Sequence, residues 1–178
     1  KDMNDNASVI NVSRALVKFN LSYLSASVQN SLIPKSAKYY LNLYDAGAIE
    51  VKDDITLYAY AASQSWTEGN GKLINDPQST DGASWRYPNV DTSSQWSSVN
   101  DLLGGTYFEE SSSSYTFDKN ASFDPKFDVT SIINSWISGS IPNEGFLLRR
   151  DLAEETSSID YGMYKFFSSD THTVYPPK

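Results

Sequence analysis

Apolar and polar residues alternate singly along several stretches of this chain. Ala15, Val17 and Phe19 fall on one side of an extended segment, and Arg14, Leu16 and Lys18 fall on the other. Successive side chains of a strand point to opposite faces, so this period of two predicts a half-buried strand. Tyr39, Leu41 and Leu43 alternate in the same way with Tyr40, Asn42 and Tyr44. So do Ile55, Leu57, Ala59 and Ala61 with Thr56, Tyr58 and Tyr60. Pro34 marks a connection before the second run, and Asp45-Ala46-Gly47-Ala48 reads as a turn or bulge after it. Three strands with turn chemistry between them predict a sheet.

From Ser63 to Asn120 the alternation stops. Gly69-Asn70-Gly71, Asn75-Asp76-Pro77, Asp81-Gly82 and Gly104-Gly105 are turn formers, and Trp66, Trp85 and Trp96 all lie in this excursion. It reads as long loops with a short strand at Ser113 to Phe117. Beyond it, Val129, Ile132, Ile133, Trp136 and Ile137 recur at i, i+3, i+4, i+7 and i+8, the apolar stripe of one short amphipathic helix. Asp128 is placed to cap its start and Gly139 to end it. Phe146-Leu147-Leu148 leads a further strand into Arg149 and Arg150. Glu154–Ile159 reads as an acidic loop, Tyr161 to Phe167 as a last strand, and Gly162 as a bulge or close backbone approach.

Composition narrows the classes. The 178 residues include 28 Ser, 12 Tyr, 8 Phe and 4 Trp, which suits an all-β surface module better than a helical bundle. The net charge of −8, with no basic cluster longer than Arg149-Arg150, argues against nucleic acid. With no Cys there is neither a disulfide framework nor a thiolate metal site. No apolar run approaches a membrane span, so no membrane partner is expected. The length suits a single domain over residues 1–178. The start at Lys1 without Met suggests a piece of a longer chain.

Candidate chemistry is sparse. His172 is the only imidazole and stands in a polar stretch without a triad around it. Glu109-Glu110, Glu154-Glu155 and Asp53-Asp54 are sequence neighbours, which on a strand point to opposite faces, so none is a natural acid–base pair. A non-catalytic protein is expected. Two oxygen-rich patches, Asp2/Asn4/Asp5 and Asp118/Asn120/Asp124, lack the twelve-residue calcium loop; a structural Ca²⁺ is left unsupported and no cofactor is assigned. Carbohydrate is the strongest binding candidate. Sugars dock on exposed aromatic rings with polar groups beside them. Trp85, Tyr87 and Trp96, with Arg86 and Glu68 nearby, supply that chemistry.

The order of segments resembles the disaggregatase-related DNRLRE domain. The matching pieces are Ser13–Leu21, Tyr40-Leu41-Asn42-Leu43-Tyr44, Trp66-Thr67-Glu68-Gly69 and Gly82-Ala83-Ser84-Trp85. Phe127-Asp128-Val129-Thr130 with its helix through Trp136 follows, and then Asn143-Glu144-Gly145-Phe146-Leu147-Leu148-Arg149. The series covers most of the chain, although the name-giving motif is replaced here by Gly-Phe-Leu-Leu-Arg-Arg-Asp. The resemblance implies an antiparallel β-sandwich of jelly-roll type, with Trp66 and Trp85 pinning loops and Trp136 buried under the helix. It also implies that Arg149 holds a carboxylate by a bidentate pair inside the fold. The tail Phe166–Pro177 resembles endings of tailed-phage structural proteins. Together these imply a non-catalytic structural and adhesive module of an extracellular particle, specifically a phage virion neck, tail or baseplate protein, located in the virion or outside the cell. Its expected partners are other copies of itself or neighbouring virion proteins, and surface polysaccharide. The alternative is a carbohydrate-binding module of a secreted polysaccharide-acting enzyme. Members of the family carry a strand before the first matching piece and one after the last. Open sheet edges near Ser13–Leu21 or Tyr161–Phe167 are therefore expected to meet another polypeptide.

Overall fold

The alternating runs fold as antiparallel strands in the computed structural model, which describes residues 2–3, 10–49, 54–70, 81–97, 104–118, 124–159 and 161–178. In chain order they are β1 (Asp2–Met3), β2 (Ile10–Asn11), β3 (Ala15–Val17), β4 (Tyr40–Asn42) and β5 (Asp45–Ile49). Then come β6 (Ile55–Ala62), β7 (Tyr107–Phe117), β8 (Lys126–Asp128), β9 (Phe146–Arg150) and β10 (Met163–Phe166). Among the described residues three α-helices interrupt them, α1 (Ser22–Gln29), α2 (Thr130–Ser138) and α3 (Leu152–Thr156), with a single 3-10 turn at Val90–Thr92. The chain is all-β in class, with antiparallel sheets and few helices.

Four strands make the main sheet in the order β3-β9-β6-β7. Its register sets Leu57, Ala59 and Ala61 opposite Arg150, Leu148 and Phe146, so apolar residues from neighbouring strands share one face. That face meets β4, β8 and α2. Ala59, Ala61, Phe146 and Leu148 form one core with Leu41, Leu43, Phe127 and the α2 residues Ile132, Ile133 and Trp136. Burying each large apolar side chain there contributes about 1.5–3 kcal/mol. β4 and β5 run on from one another with β8 along one side, where Leu43 N–H donates to the Pro125 carbonyl at 3.0 Å. β10 and the tail lie along the other. Phe167 N–H donates to the Tyr44 carbonyl, and Asn42 and Lys178 exchange backbone bonds of 2.7 and 3.1 Å.

The helix α2 follows from its stripe. Asp128 Oδ1 accepts the Thr130 N–H at 3.0 Å, and Gly139 closes the last turn in the left-handed region at φ +76°. Four expectations need correction. The single helix is joined by α1 and α3 among the described residues. Asp45–Ile49 is a strand, and Gly47 (φ +126°) sits where the β5–β10 register slips, so the bulge lies within the strand and replaces no part of it. The strand expected at Ser113 already begins at Tyr107, carried by pairing to β6 and not by its own polar serines. The acidic stretch from Glu154 opens with α3, whose Asp151 carboxylate accepts the Ala153 N–H at 2.8 Å.

Candidate functional site

The opposite face of the main sheet carries a different set of side chains. Tyr58 stands opposite Arg149 and Tyr60 opposite Leu147, all pointing away from the apolar core. Loops from the Ser63–Gly105 excursion and α3 cover this face. Leu147 is fully buried beneath Gly105, where a Cβ would come within 2.3 Å of Leu147 Cδ1. Tyr60 packs 4.4 Å from Tyr107, and the Arg149 guanidinium lies 5.4 Å over the Tyr107 ring while donating to its hydroxyl. Burial first, and then neighbouring Tyr107, push the Tyr60 phenol above its ordinary value.

Buried charge organises this layer. Glu155, on α3, accepts from Arg14 Nε at 3.1 Å and Nη2 at 2.7 Å, and from Arg149 Nη2 at 2.7 Å. All three side chains are 4% exposed. Arg149 does hold a carboxylate within the fold. The two-pronged pair, however, is made by Arg14, because Arg149 spends its Nε on the Arg150 carbonyl and Nη1 on Tyr107. Glu155, expected in a solvated loop, is the hub of the network. A carboxylate between two guanidiniums gives each cation an ion-pair partner while the triad keeps one positive charge in excess.

Arg14 also reaches upward. Its Nη1 donates to the Gly104 carbonyl at 3.2 Å, and its Cζ lies 4.9 Å over the Trp85 ring. Trp85 lies against Gly104, whose φ is +98° and whose added Cβ would sit 2.8 Å from the indole, so only glycine lets the ring lie down there. The ring is thus held from below yet remains 40% exposed. It borders a surface cleft of about 300 Å³, with Trp66, Thr67, Glu68, Ala83 and Leu147 among its other walls. Trp66 is fixed by Nε1 donating to the Glu144 carbonyl at 2.7 Å.

The other aromatic candidates fare differently. Trp96 is buried, its Nε1 donating to the Ser84 carbonyl at 2.9 Å and its backbone N–H to the Arg86 carbonyl at 3.2 Å. It anchors the loop that carries Trp85 and stands among the walls of the cleft with only 4% of its surface exposed. Tyr87 is half-buried with Arg86 5.7 Å over its ring, and it does not line the cleft. Trp136 is buried under the core, away from this face. His172 is exposed in the tail. Among the described residues no group of three or more His, Cys, Asp or Glu could hold a metal. Asn4, Asp5, Asp53, Asn75, Asp76, Pro77 and Asn120 lie outside the described residues; Asp124 Oδ1 accepts the Asp45 N–H at 2.8 Å. Arg14 and Glu155 are the residues that sequence pattern missed: one hides in a strand's alternation, the other in an acidic run.

The cleft leaves the Trp85 face open to a ring, beside the Glu68 carboxylate and the Thr67 hydroxyl. Glu68 Oε1 accepts from Ser169 Oγ at 3.0 Å and the Thr67 hydroxyl accepts from Asn89 Nδ2 at 3.2 Å, so a carboxylate oxygen and a hydroxyl proton can each serve one further polar group. The chain matches no family model, no curated protein and no solved structure. The family resemblance therefore rests on its ordered motifs.

Proposed function

We propose that the chain is a non-catalytic structural and adhesive module of an extracellular particle, whose Trp85 cleft docks surface polysaccharide. The finer fold is a jelly-roll-type sandwich of the DNRLRE kind, and the particle is a phage virion, in which the module serves the neck, tail or baseplate. The observation that carries the adhesive half is the exposed Trp85 ring, held in place by Arg14 and Gly104 beside Trp66 and Glu68. A rigid, pre-placed aromatic loses little conformational freedom when a sugar stacks on it. The virion half is supported by the ordered motifs and the tail sequence. The same cleft would equally serve a carbohydrate-binding module of a secreted polysaccharide-acting enzyme, and the domains adjoining this segment in the full chain distinguish the two.

The test is a polysaccharide array of neutral and acidic glycans, followed by titration through Trp fluorescence. The intact protein should bind at least one glycan, and Trp85→Ala should abolish that binding while the melting temperature holds. Tyr87→Ala should leave binding unchanged. An intact protein that binds nothing at millimolar glycan overturns the adhesive role.

A further inference from the structure

A second opening, of about 460 Å³, lies on the other side of the main sheet. Val17 and Leu148 line it, while their chain neighbours Leu16 and Leu147 line the Trp85 cleft. Successive strand residues face opposite ways, so the sheet lies between the two sites. They share only Arg14, Trp66 and Glu68 as walls. The deep wall of the second opening is apolar: Leu43, Ile55 and Phe117 border it and are each 1% exposed. The polar residues Ser13, Lys18 and Ser169 border it from exposed positions. Close-packed interiors hold few voids larger than a water molecule, and apolar walls give water no partners. Such a space is room for an apolar group.

We infer that this opening binds the unbranched aliphatic chain of a single-chain amphiphile, with the polar head left at the mouth. Shape and size agree on that class. Residues 13–15 and 17–19 line the opening, and so do residues 163–164 and 166–169. The first of these segments is extended. Ala15 and Val17 pair with Leu148 and Phe146, and Lys18 continues past Gly145, where an added Cβ would lie 3.0 Å from Lys18 Cα. Six steps of about 3.3 Å make the segment about 20 Å long. Spread over that length, 460 Å³ leaves a cross-section of about 23 Å², a slot and not a sphere. A cavity of about 150 Å³ accommodates benzene, which allots about 25 Å³ to each carbon, so 460 Å³ holds about eighteen carbons. With C–C bonds of about 1.5 Å an extended chain advances about 1.3 Å per carbon, and eighteen carbons reach about 22 Å. Length and volume thus ask for the same chain. A polypeptide would set N–H and C=O groups against Leu43, Ile55 and Phe117, a desolvation cost that an alkyl chain does not carry. A fused-ring ligand of equal volume is wider than the slot. The exposed mouth leaves the head in water, so the chain is what the site recognises. The inference does not rest on the Trp85 cleft.

The probes are octanoate, decanoate, undecanoate and dodecanoate, titrated by calorimetry below their micelle concentrations. Decanoate should bind saturably, and affinity should rise about fourfold for each added CH₂. Decan-1-ol should match decanoate within about threefold, because an exposed head charge contributes little. Adamantane-1-carboxylate holds the carbon count of undecanoate in a compact cage and should bind at least about tenfold more weakly. Ala15→Trp and Met163→Trp each place an indole in the opening and should weaken decanoate binding at least about tenfold with circular dichroism retained. Two variants keep the test sound if one fails to fold. Trp85→Ala should bind decanoate as the native protein does. A free amphiphile and the acyl chain of a membrane lipid present the same chemistry. Cosedimentation with phosphatidylcholine vesicles that decanoate competes away supports the inference with a lipid as source; decanoate binding without cosedimentation supports it with a free amphiphile. No saturation by about 1 mM decanoate, an affinity flat across the series, or a failure of decan-1-ol to bind overturns the inference. So does a cage that binds as tightly as undecanoate, or indifference to both fillings. Loss of decanoate binding in Trp85→Ala would put the chain in the cleft and overturns it as well.

Discussion

The two faces of the main sheet are built from the same strands and closed by opposite means. On one, Ala59, Ala61, Phe146 and Leu148 meet Leu41, Phe127 and the α2 stripe, and cohesion comes from apolar burial. On the other, Arg149, Tyr58 and Tyr60 emerge between those same residues, and closure comes from Glu155 held between two arginines beneath loops pinned by Trp66 and Trp96. Dispersion and burial need no particular geometry beyond fit. Buried charge needs every partner in place, so the second face is more specific and more fragile. The exposed Trp85 belongs to it, because a ring held by a guanidinium and a glycine depends on that network.

The largest effects should come from the apolar face. Trp136 lies 4.8 Å from Phe146, and its Nε1 has no hydrogen-bond partner among the described residues, so truncation removes packing alone. Trp136→Ala should cost about 3–5 kcal/mol in urea unfolding. On the charged face Glu155→Ala strands two buried guanidiniums and should cost about 3 kcal/mol, the lower end of the usual range, because five-residue α3 can yield to let water in. The sharper test replaces the whole network: Arg14→Met, Arg149→Leu and Glu155→Met together should be nearly neutral. If the triple variant is as unstable as Glu155→Ala, the network stabilises outright and the contrast between the faces fails.

A smaller change reports on the link to Trp85. Gly104→Ala forces a Cβ toward the indole at φ +98° and should cost about 1–2 kcal/mol. It should also displace Trp85, seen as a shift in Trp fluorescence and a loss of glycan binding equal to that of Trp85→Ala. A Gly104→Ala protein that binds normally would show that the ring needs no support from below.

The apolar face was legible in the sequence; of the charged face only Arg149 was, through the resemblance. The α2 stripe repeats five apolar residues at helical spacing, so local pattern alone marks it. In α1 the apolar Leu24 and Val28 are diluted by Ser22, Ser25 and Ser27, and the first-turn bond is Asn20 Oδ1 accepting the Ser22 N–H at 3.0 Å, from a residue before the N-cap Leu21. No stripe stands out. Asp45-Ala46-Gly47-Ala48 reads as a turn or bulge because Gly47 does; the bulge is there, and only pairing with Met163–Phe166, far along the chain, sets it within a strand. Glu155 looks like one acid in an acidic run until Arg14, 141 residues away, closes on it. Trp85 and Trp96 carry the same chemistry, and loop path alone decides that one is exposed and the other buried. Local periodicity is written in neighbours. Charge pairing and ring exposure are written in contacts across the fold.

Acid titration separates the two faces by sign. Asp128, capping α2 on the apolar side, accepts first from the Thr130 side chain and then from its N–H, which holds its carboxyl below the ordinary value. Its folded form therefore binds a proton less readily than its unfolded form. The stability it supplies is complete above the ordinary value and is lost as pH falls through the lowered one. Glu154, on α3, is pushed the other way, mainly by burial against the weaker opposing pull of Arg150. It folds more readily protonated, so its contribution is present at low pH and declines as pH rises through its raised value. In the native protein the two slopes oppose. Asp128→Asn should flatten the acid loss of melting temperature below the ordinary carboxylate range, and Glu154→Gln should remove a decline above it. These shifts are the smallest expected, since Asp128 is fully exposed and Glu154 only partly buried. Melting curves of the native protein and both variants across pH 2 to 7 would check them. If both variants change the pH profile in the same direction, the two carboxyls do not titrate with opposite sign.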